Sequence, residues 1–113
     1  EDSIEIEGYR LITTTFEGMD SKGLREVADR LRNQSTNSVI VLISVSEDKA
    51  PTIVACSKEV DIDAREIMKH LINQLGGSGG GRPDFAQGGI ENIDGLEIAL
   101  TSVADLIVSL NNQ

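Results

Sequence analysis

Among the side chains that could do chemistry, Arg82 has the most unusual setting. It is the one cation in the run Gly76-Gly77-Ser78-Gly79-Gly80-Gly81-Arg82-Pro83-Asp84-Phe85-Ala86-Gln87-Gly88-Gly89, which holds seven of the eleven glycines. A guanidinium is planar, permanently charged and able to grip phosphate oxygens in pairs, which a Lys ammonium cannot do. Glycine adds no side chain to a core and loses much backbone freedom on ordering. Such a run is therefore either a flexible linker or a surface that a partner's backbone approaches closely. The embedded Arg-Pro-Asp-Phe-Ala-Gln and the patterned helices on both sides oppose the linker. No Gly-Lys-Ser/Thr follows, so it is not a Walker loop. Gly88 and Gly89 precede the last helix, where free N–H groups suit an anion. The expectation is a phosphate- or backbone-contacting loop centred on Arg82. Its rival pairs Arg82 with Asp84 to stiffen a tight turn.

The other candidates are weaker. Lys22, Arg25, Arg30 and Arg32 lie in one helical stretch, with Arg25 and Arg32 seven apart and so two turns apart on one flank. They offer a second phosphate-contacting face, although Glu26 and Asp29 are interleaved as on any solvated helix. His70 has no partner at metal-ligand spacing. Cys56 ends an apolar strand with no general base near it in sequence, which fits a small buried residue better than a nucleophile. Asp61 and Asp63 precede a helix, where carboxylates favour its dipole. No catalytic constellation emerges, and no cofactor is expected in this domain.

The elements that must position Arg82 read as one domain over residues 1–113, with 39% apolar residues and three aromatics, Tyr9, Phe16 and Phe85. The core must be mostly aliphatic. No apolar run is long enough for a membrane helix. The lone cysteine forms no internal disulfide, which suits a reducing compartment. The chain opens on Glu1 rather than Met and with no secretory leader, which reads as a domain cut from a longer protein. A net charge of −9 argues against a general nucleic-acid binder. The distribution softens this: residues 1–20 carry six acids and one base, 90–113 four acids and no base, but 22–32 four bases and two acids. With so few aromatics, a nucleic acid would be held by backbone and shape rather than by base stacking.

In order, residues 3–16 predict strand, a turn at Gly8, then an edge or half-buried strand closed by Gly18. Asp20 or Ser21 caps a helix with the stripe Leu24, Val27, Ala28 and Leu31. Val39 to Ile43 reads as a strand buried on both sides. A polar turn over 47–51 leads to a hairpin-paired strand at 52–56. Asp63 and Glu66 resemble a capping box for a helix through Leu75, with Gly76 at its C-cap. The glycine stretch follows as a loop. Asn92 and Asp94 cap a final helix whose apolar face is broad enough to touch more than one element. The fold class is α/β, a small mixed β-sheet covered by about three helices.

The 76–89 stretch closely resembles the signature of the C-terminal domain of alanyl-tRNA synthetases, related to the accessory domain of DHH-type phosphoesterases and here called DHHA1-like. The resemblance extends over most of the chain. Its Arg-Pro-x-x-Ala-Gln-Gly-Gly portion is fairly specific, and the motif falls on Gly79, Gly80, Gly81, Arg82, Pro83, Ala86, Gln87, Gly88 and Gly89. The resemblance implies a non-catalytic tRNA-binding domain of a cytoplasmic ligase that charges tRNA(Ala) and clears mischarged tRNA. ATP, Mg and an editing-site Zn would serve the parent's upstream sites. The domain would contact the outer corner of tRNA, where the D and T loops meet, and help both sites act on one tRNA. A preceding helical segment would contribute to a homodimer. Candidate tRNA contacts are Gly79, Gly80, Gly81, Arg82, Gln87, Gly88 and Gly89, with Arg25 and Arg32 adding charge. Two other readings stand beside this one: the nucleic-acid-binding accessory domain of a phosphoesterase, and an oligomerisation or interdomain contact module.

Overall fold

The computed structural model describes residues 2–46 and 50–112. Within them lie β1 (Asp2–Ile6), β2 (Tyr9–Glu17), α1 (Ser21–Gln34), β3 (Ser38–Val45), β4 (Ala50–Cys56), α2 (Ala64–Leu75), β5 (Gly77–Arg82), β6 (Phe85–Ile90) and α3 (Leu96–Asn111). The strands form one mixed sheet in the order β1-β2-β3-β4-β6-β5, in which β2 and β3 are parallel and the other neighbours antiparallel. The expected α/β class is borne out. The glycine stretch is corrected from a loop to a β-hairpin, β5–β6, that adds two strands to the sheet.

The centre follows from hydrophobicity. Val39 through Ile43 are fully buried, so β3 is covered on both faces as its unbroken apolar run predicts. On one face α1 packs Leu24 and Ala28 onto Ile12, Ile40, Leu42, Ile53 and Ala55. On the other, α2 and α3 bury Ile67, Met68, Leu71, Val103 and Ile107 against Val41, Val54 and Ala86. β2 is half-buried as expected but is not an edge, because β1 folds back onto it through a two-residue turn. Glu7 and Gly8 there have φ of 53° and 85°, the twist-matched turn of tight hairpins. The polar turn expected over 47–51 lies at 47–49 outside the described residues, and Ala50 and Pro51 already belong to β4.

Caps refine the helix starts. Asp20, not Ser21, caps α1, its carboxylate accepting from Gly23 N at 2.8 Å. Asp63 caps α2 but makes no capping box. Its carboxylate accepts from Arg65 N (2.9 Å) and pairs with the Arg65 guanidinium (2.7 Å), while Glu66 N bonds the Asp63 carbonyl. Asn92 caps a short 3₁₀ turn, Ile93–Gly95, that leads into α3, so α3 itself has no side-chain cap.

The Arg65 hydrogen bond holds the Asp63 carboxyl below its ordinary value near 3.8. A depressed carboxyl stabilises the fold above its unfolded pKa and loses that contribution as pH falls through the folded one. Asp63→Ala is expected to lower stability by about 1 kcal/mol at pH 7. The gap to the parent chain should begin to narrow as pH falls below about 4 in urea unfolding followed by circular dichroism.

Candidate nucleic-acid interface

Helix ends anchor the hairpin that carries Arg82. Two donors near its tip find fixed partners: Ala64 N, at the open first turn of α2, bonds the Pro83 carbonyl at 2.7 Å, and Cys56 N bonds the Asp84 carbonyl at 3.0 Å. At the far end Asn92 N and Glu91 N bond the carbonyls of Leu75 and Gly76 as α2 ends. Pro83 and Asp84 form the two-residue turn, with Pro83 presetting φ and Arg82 paired to Phe85.

Most of the glycines are required by this packing. A Cβ on Gly77 would lie on the Gly89 carbonyl oxygen, one on Gly88 would press into the Ser78 oxygen, and one on Gly81 would stand 2.5 Å from the Phe85 oxygen. Gly77 and Gly81 also hold φ of 120° and 150°, which side-chain-bearing residues rarely adopt. Gly79 faces α2, where a Cβ would crowd Gln87, Gly88 and Met68. The expected close approach is thus first of all an approach of the chain to itself. Gly80 and Gly89 differ. A Cβ on either would meet nothing within 4 Å, and neither has a left-handed φ.

Strand alternation locates these two. Ala86 and Ile90 enter the core under α2 and α3, whereas Phe85 packs against the α1-side core. Phe85, Gln87 and Gly89 therefore share the α1 side, with register partners Arg82, Gly80 and Ser78 beside them. α1 packs chiefly over β3 and β4. What remains is an open shelf floored by Gly80 and Gly89 and walled by one flank of α1.

Asp84 organises the cations at the tip of this shelf. Arg32 Nη1 lies 3.3 Å from its Oδ2, and Arg82 Nε lies 3.6 Å from its Oδ1. Arg32 also contacts Asp29 at 3.4 Å. Both guanidiniums cover Phe85, at 5.4 and 6.0 Å from the ring centroid. The Arg82–Asp84 pair of the rival reading is thus present. It is long and open to water, with Arg82 70% exposed, and exposed pairs of this kind contribute little. Arg32 is the more buried of the two cations and Arg82 the more exposed one. Through β3 and β4, β6 runs parallel to β3, so α1, the crossover between two parallel strands, runs antiparallel to β6. Arg25, about 10 Å back along α1 from Arg32, falls alongside the Gly88–Gly89 end of the shelf. The structure thus brings Arg25, Arg32, Arg82, Gln87, Gly80 and Gly89 to one side. Gly79, Gly81 and Gly88 serve the hairpin itself. Arg30 lies off the Arg25–Arg32 flank by helical spacing.

Sequence reasoning named Asp84 as a partner of Arg82 but missed its bond to Arg32 and the Phe85 ring beneath both arginines. The Pro-Asp pair between two six-residue runs was the available turn signal. Neither of the remaining candidates adds chemistry. Burial pushes the Cys56 thiol up to about 12, aided by Asp63 and Asp84, which makes it a poor nucleophile. His70 Nε2 lies 2.8 Å from Ser102 Oγ and ties α2 to α3. Among the described residues, no three His, Cys, Asp or Glu side chains cluster as a metal site.

The model of the DHHA1 domain family matches residues 8–109. The chain is 37% identical over 106 residues to an alanine–tRNA ligase of Saccharophagus degradans, and 41% identical over 105 residues to that of Ruthia magnifica. These matches cover 92% and 91% of this chain but 12% of each relative, so the chain spans about an eighth of their length. Among solved structures it superposes on the C-Ala domain of Aquifex aeolicus alanyl-tRNA synthetase with a TM-score of 0.89 at 28% identity, covering 95% of this chain and 98% of that one. A DHH-domain member of a family of ribosomal proteins shares the fold at a TM-score of 0.63 and 22% identity, over 96% of this chain and 28% of that one.

The two kinds of glycine separate by experiment. Gly88→Ala is expected to destabilise by about 1–3 kcal/mol, because the Ser78 backbone must move. Gly80→Ala should stay within about 0.5 kcal/mol of the parent chain. Equilibrium urea unfolding measures both.

Proposed function

Because this chain belongs to the DHHA1 domain family, we propose that it is the C-terminal domain of an alanyl-tRNA synthetase and holds the outer corner of tRNA(Ala) on the hairpin shelf. The observation that carries this reading is the pair Gly80 and Gly89. The fold does not need glycine at either position, yet both lie on the α1 side of the hairpin, the side on which Arg32 and Arg82 cover Phe85. A missing side chain there serves whatever comes to the shelf. A sugar–phosphate backbone fits, since it needs close approach and cations at its phosphates.

In this reading Arg82 grips a phosphate or a base edge from the hairpin tip. Its guanidinium is exposed and its pairing with Asp84 is weak enough to exchange. Arg25 and Arg32 follow the backbone along α1, and Gln87 offers a carboxamide from the shelf floor. The domain itself performs no chemistry. It positions one tRNA for the aminoacylation and editing sites elsewhere in a cytoplasmic parent enzyme, where ATP, Mg and Zn act. The chain's net charge of −9 makes this a local electrostatic contact rather than general attraction.

Binding of tRNA(Ala) by fluorescence anisotropy across a salt titration tests the reading. Arg82→Ala should weaken binding by about five- to tenfold at low salt and reduce the slope of log K against log salt by about one. Gly80→Val should weaken binding comparably while its unfolding curve stays near that of the parent chain. Unchanged affinity in both variants at low salt would place the tRNA elsewhere on the domain.

A further inference from the structure

The sheet face that α2 and α3 cover is incomplete. α2 lies over β4, β5 and β6. α3 is tied to α2 through His70 and Ser102, and to the start of β2 by the Tyr9 hydroxyl, which donates to Asn111 Oδ1 at 3.2 Å. Between these ties and the outer strands a wedge of about 970 Å³ stays open. Its sheet side is formed by Ile4, Leu11 and Thr13, and its helix side by Ile98, Leu100 and Ala104. Ile98 is 77% exposed and Ile4 52%, the two most exposed large apolar side chains among the described residues. Both line the wedge. Glu97 and Asp105 line it, no base is among the described residues that do, and residues 90–113 hold four acids and no base.

We propose that this wedge is a docking site for an amphipathic α-helical protein segment carrying Lys or Arg beside its apolar stripe. A helix is the element that completes a helical layer over β1 and β2, and it can lie beside α3 at normal interhelical distance. Its apolar stripe covers Ile4 and Ile98, which the fold leaves in water. Its cations meet Glu97 and Asp105, eight residues and about 12 Å apart along α3, so they lie about two turns apart on the guest. The charge decides against the other occupants. RNA needs cations where this wedge has carboxylates. A second copy would bring the same acids face to face, α3 against α3. The wedge lies across the sheet from the hairpin shelf, so its occupant and a tRNA do not compete.

The test uses methyl NMR of the whole chain, with a synthetic Leu/Lys amphipathic helical peptide as probe and its Leu/Glu analogue as control. The Leu/Lys peptide should shift the Ile4 and Ile98 methyls to saturation, and the Leu/Glu peptide should not. Glu97→Lys with Asp105→Lys should weaken binding by about tenfold or more. Glu7→Lys with Asp61→Lys, an equal change of net charge elsewhere on the surface, should weaken it less than about threefold. Should the α3 pair disturb folding, Ile98→Arg at an exposed position supplies the same loss. The proposal is overturned by unmoved Ile4 and Ile98 methyls, by equal losses in the two double variants, or by tRNA shifting these methyls. It is also overturned if they shift with protein concentration alone, which identifies a second copy as the occupant.

Discussion

Everything at the candidate interface depends on how closely β5 approaches β6. Neighbouring strands lie about 4.8 Å apart, and side chains normally rise out of that plane. Here Gly77, Gly81 and Gly88 would point a Cβ into the opposite backbone, so the hairpin exists in this shape only without them. β6 in turn pairs with β4 along its whole length, from Ala50–Ile90 to Ala55–Phe85, and buries Ala86 and Ile90 beneath the helices. The helix termini hold the two ends of the hairpin through bonds their own backbones would otherwise lack. A glycine run, which alone would be floppy, becomes a rigid edge because one strand of it is stitched into the sheet.

That rigidity fixes where the arginines stand. Phe85 is half-buried against the α1-side core, and its ring supports Arg32 and Arg82 together. Asp84 keeps the two like charges from repelling without engulfing either, since it is itself more than half exposed. Net charge is a poor guide to such a surface. The cations gather on α1 and the hairpin tip, while α3 and the residues before it are purely acidic. A chain with a large excess of acids thus still gathers cations locally.

Much of this was legible from local patterns. The unbroken run Val39–Ile43 announced a strand covered on both faces, and the stripes Leu24–Leu31 and Ala64–Leu75 announced two amphipathic helices. Gly76 and Asp20 marked helix ends where the structure has them. Arg82 stood out because it is alone among glycines, and Arg25 and Arg32 because seven residues make two turns. Each of these signals is local: period, cap and composition are written within a dozen residues of chain.

What local pattern could not reveal was the hairpin and its sidedness. Strand prediction reads side chains that alternate between faces, and a stretch with glycine at seven of fourteen positions has almost no side chains to read. Its strand character comes from β4, whose backbone offers the hydrogen bonds that β6 completes. The same pairing sorts the glycines into those that permit the hairpin and the two, Gly80 and Gly89, that leave open space on its α1 side. Composition could name the candidate residues. Which of them face outward together was settled only when distant strands came into register, because sidedness belongs to the sheet and not to the segment.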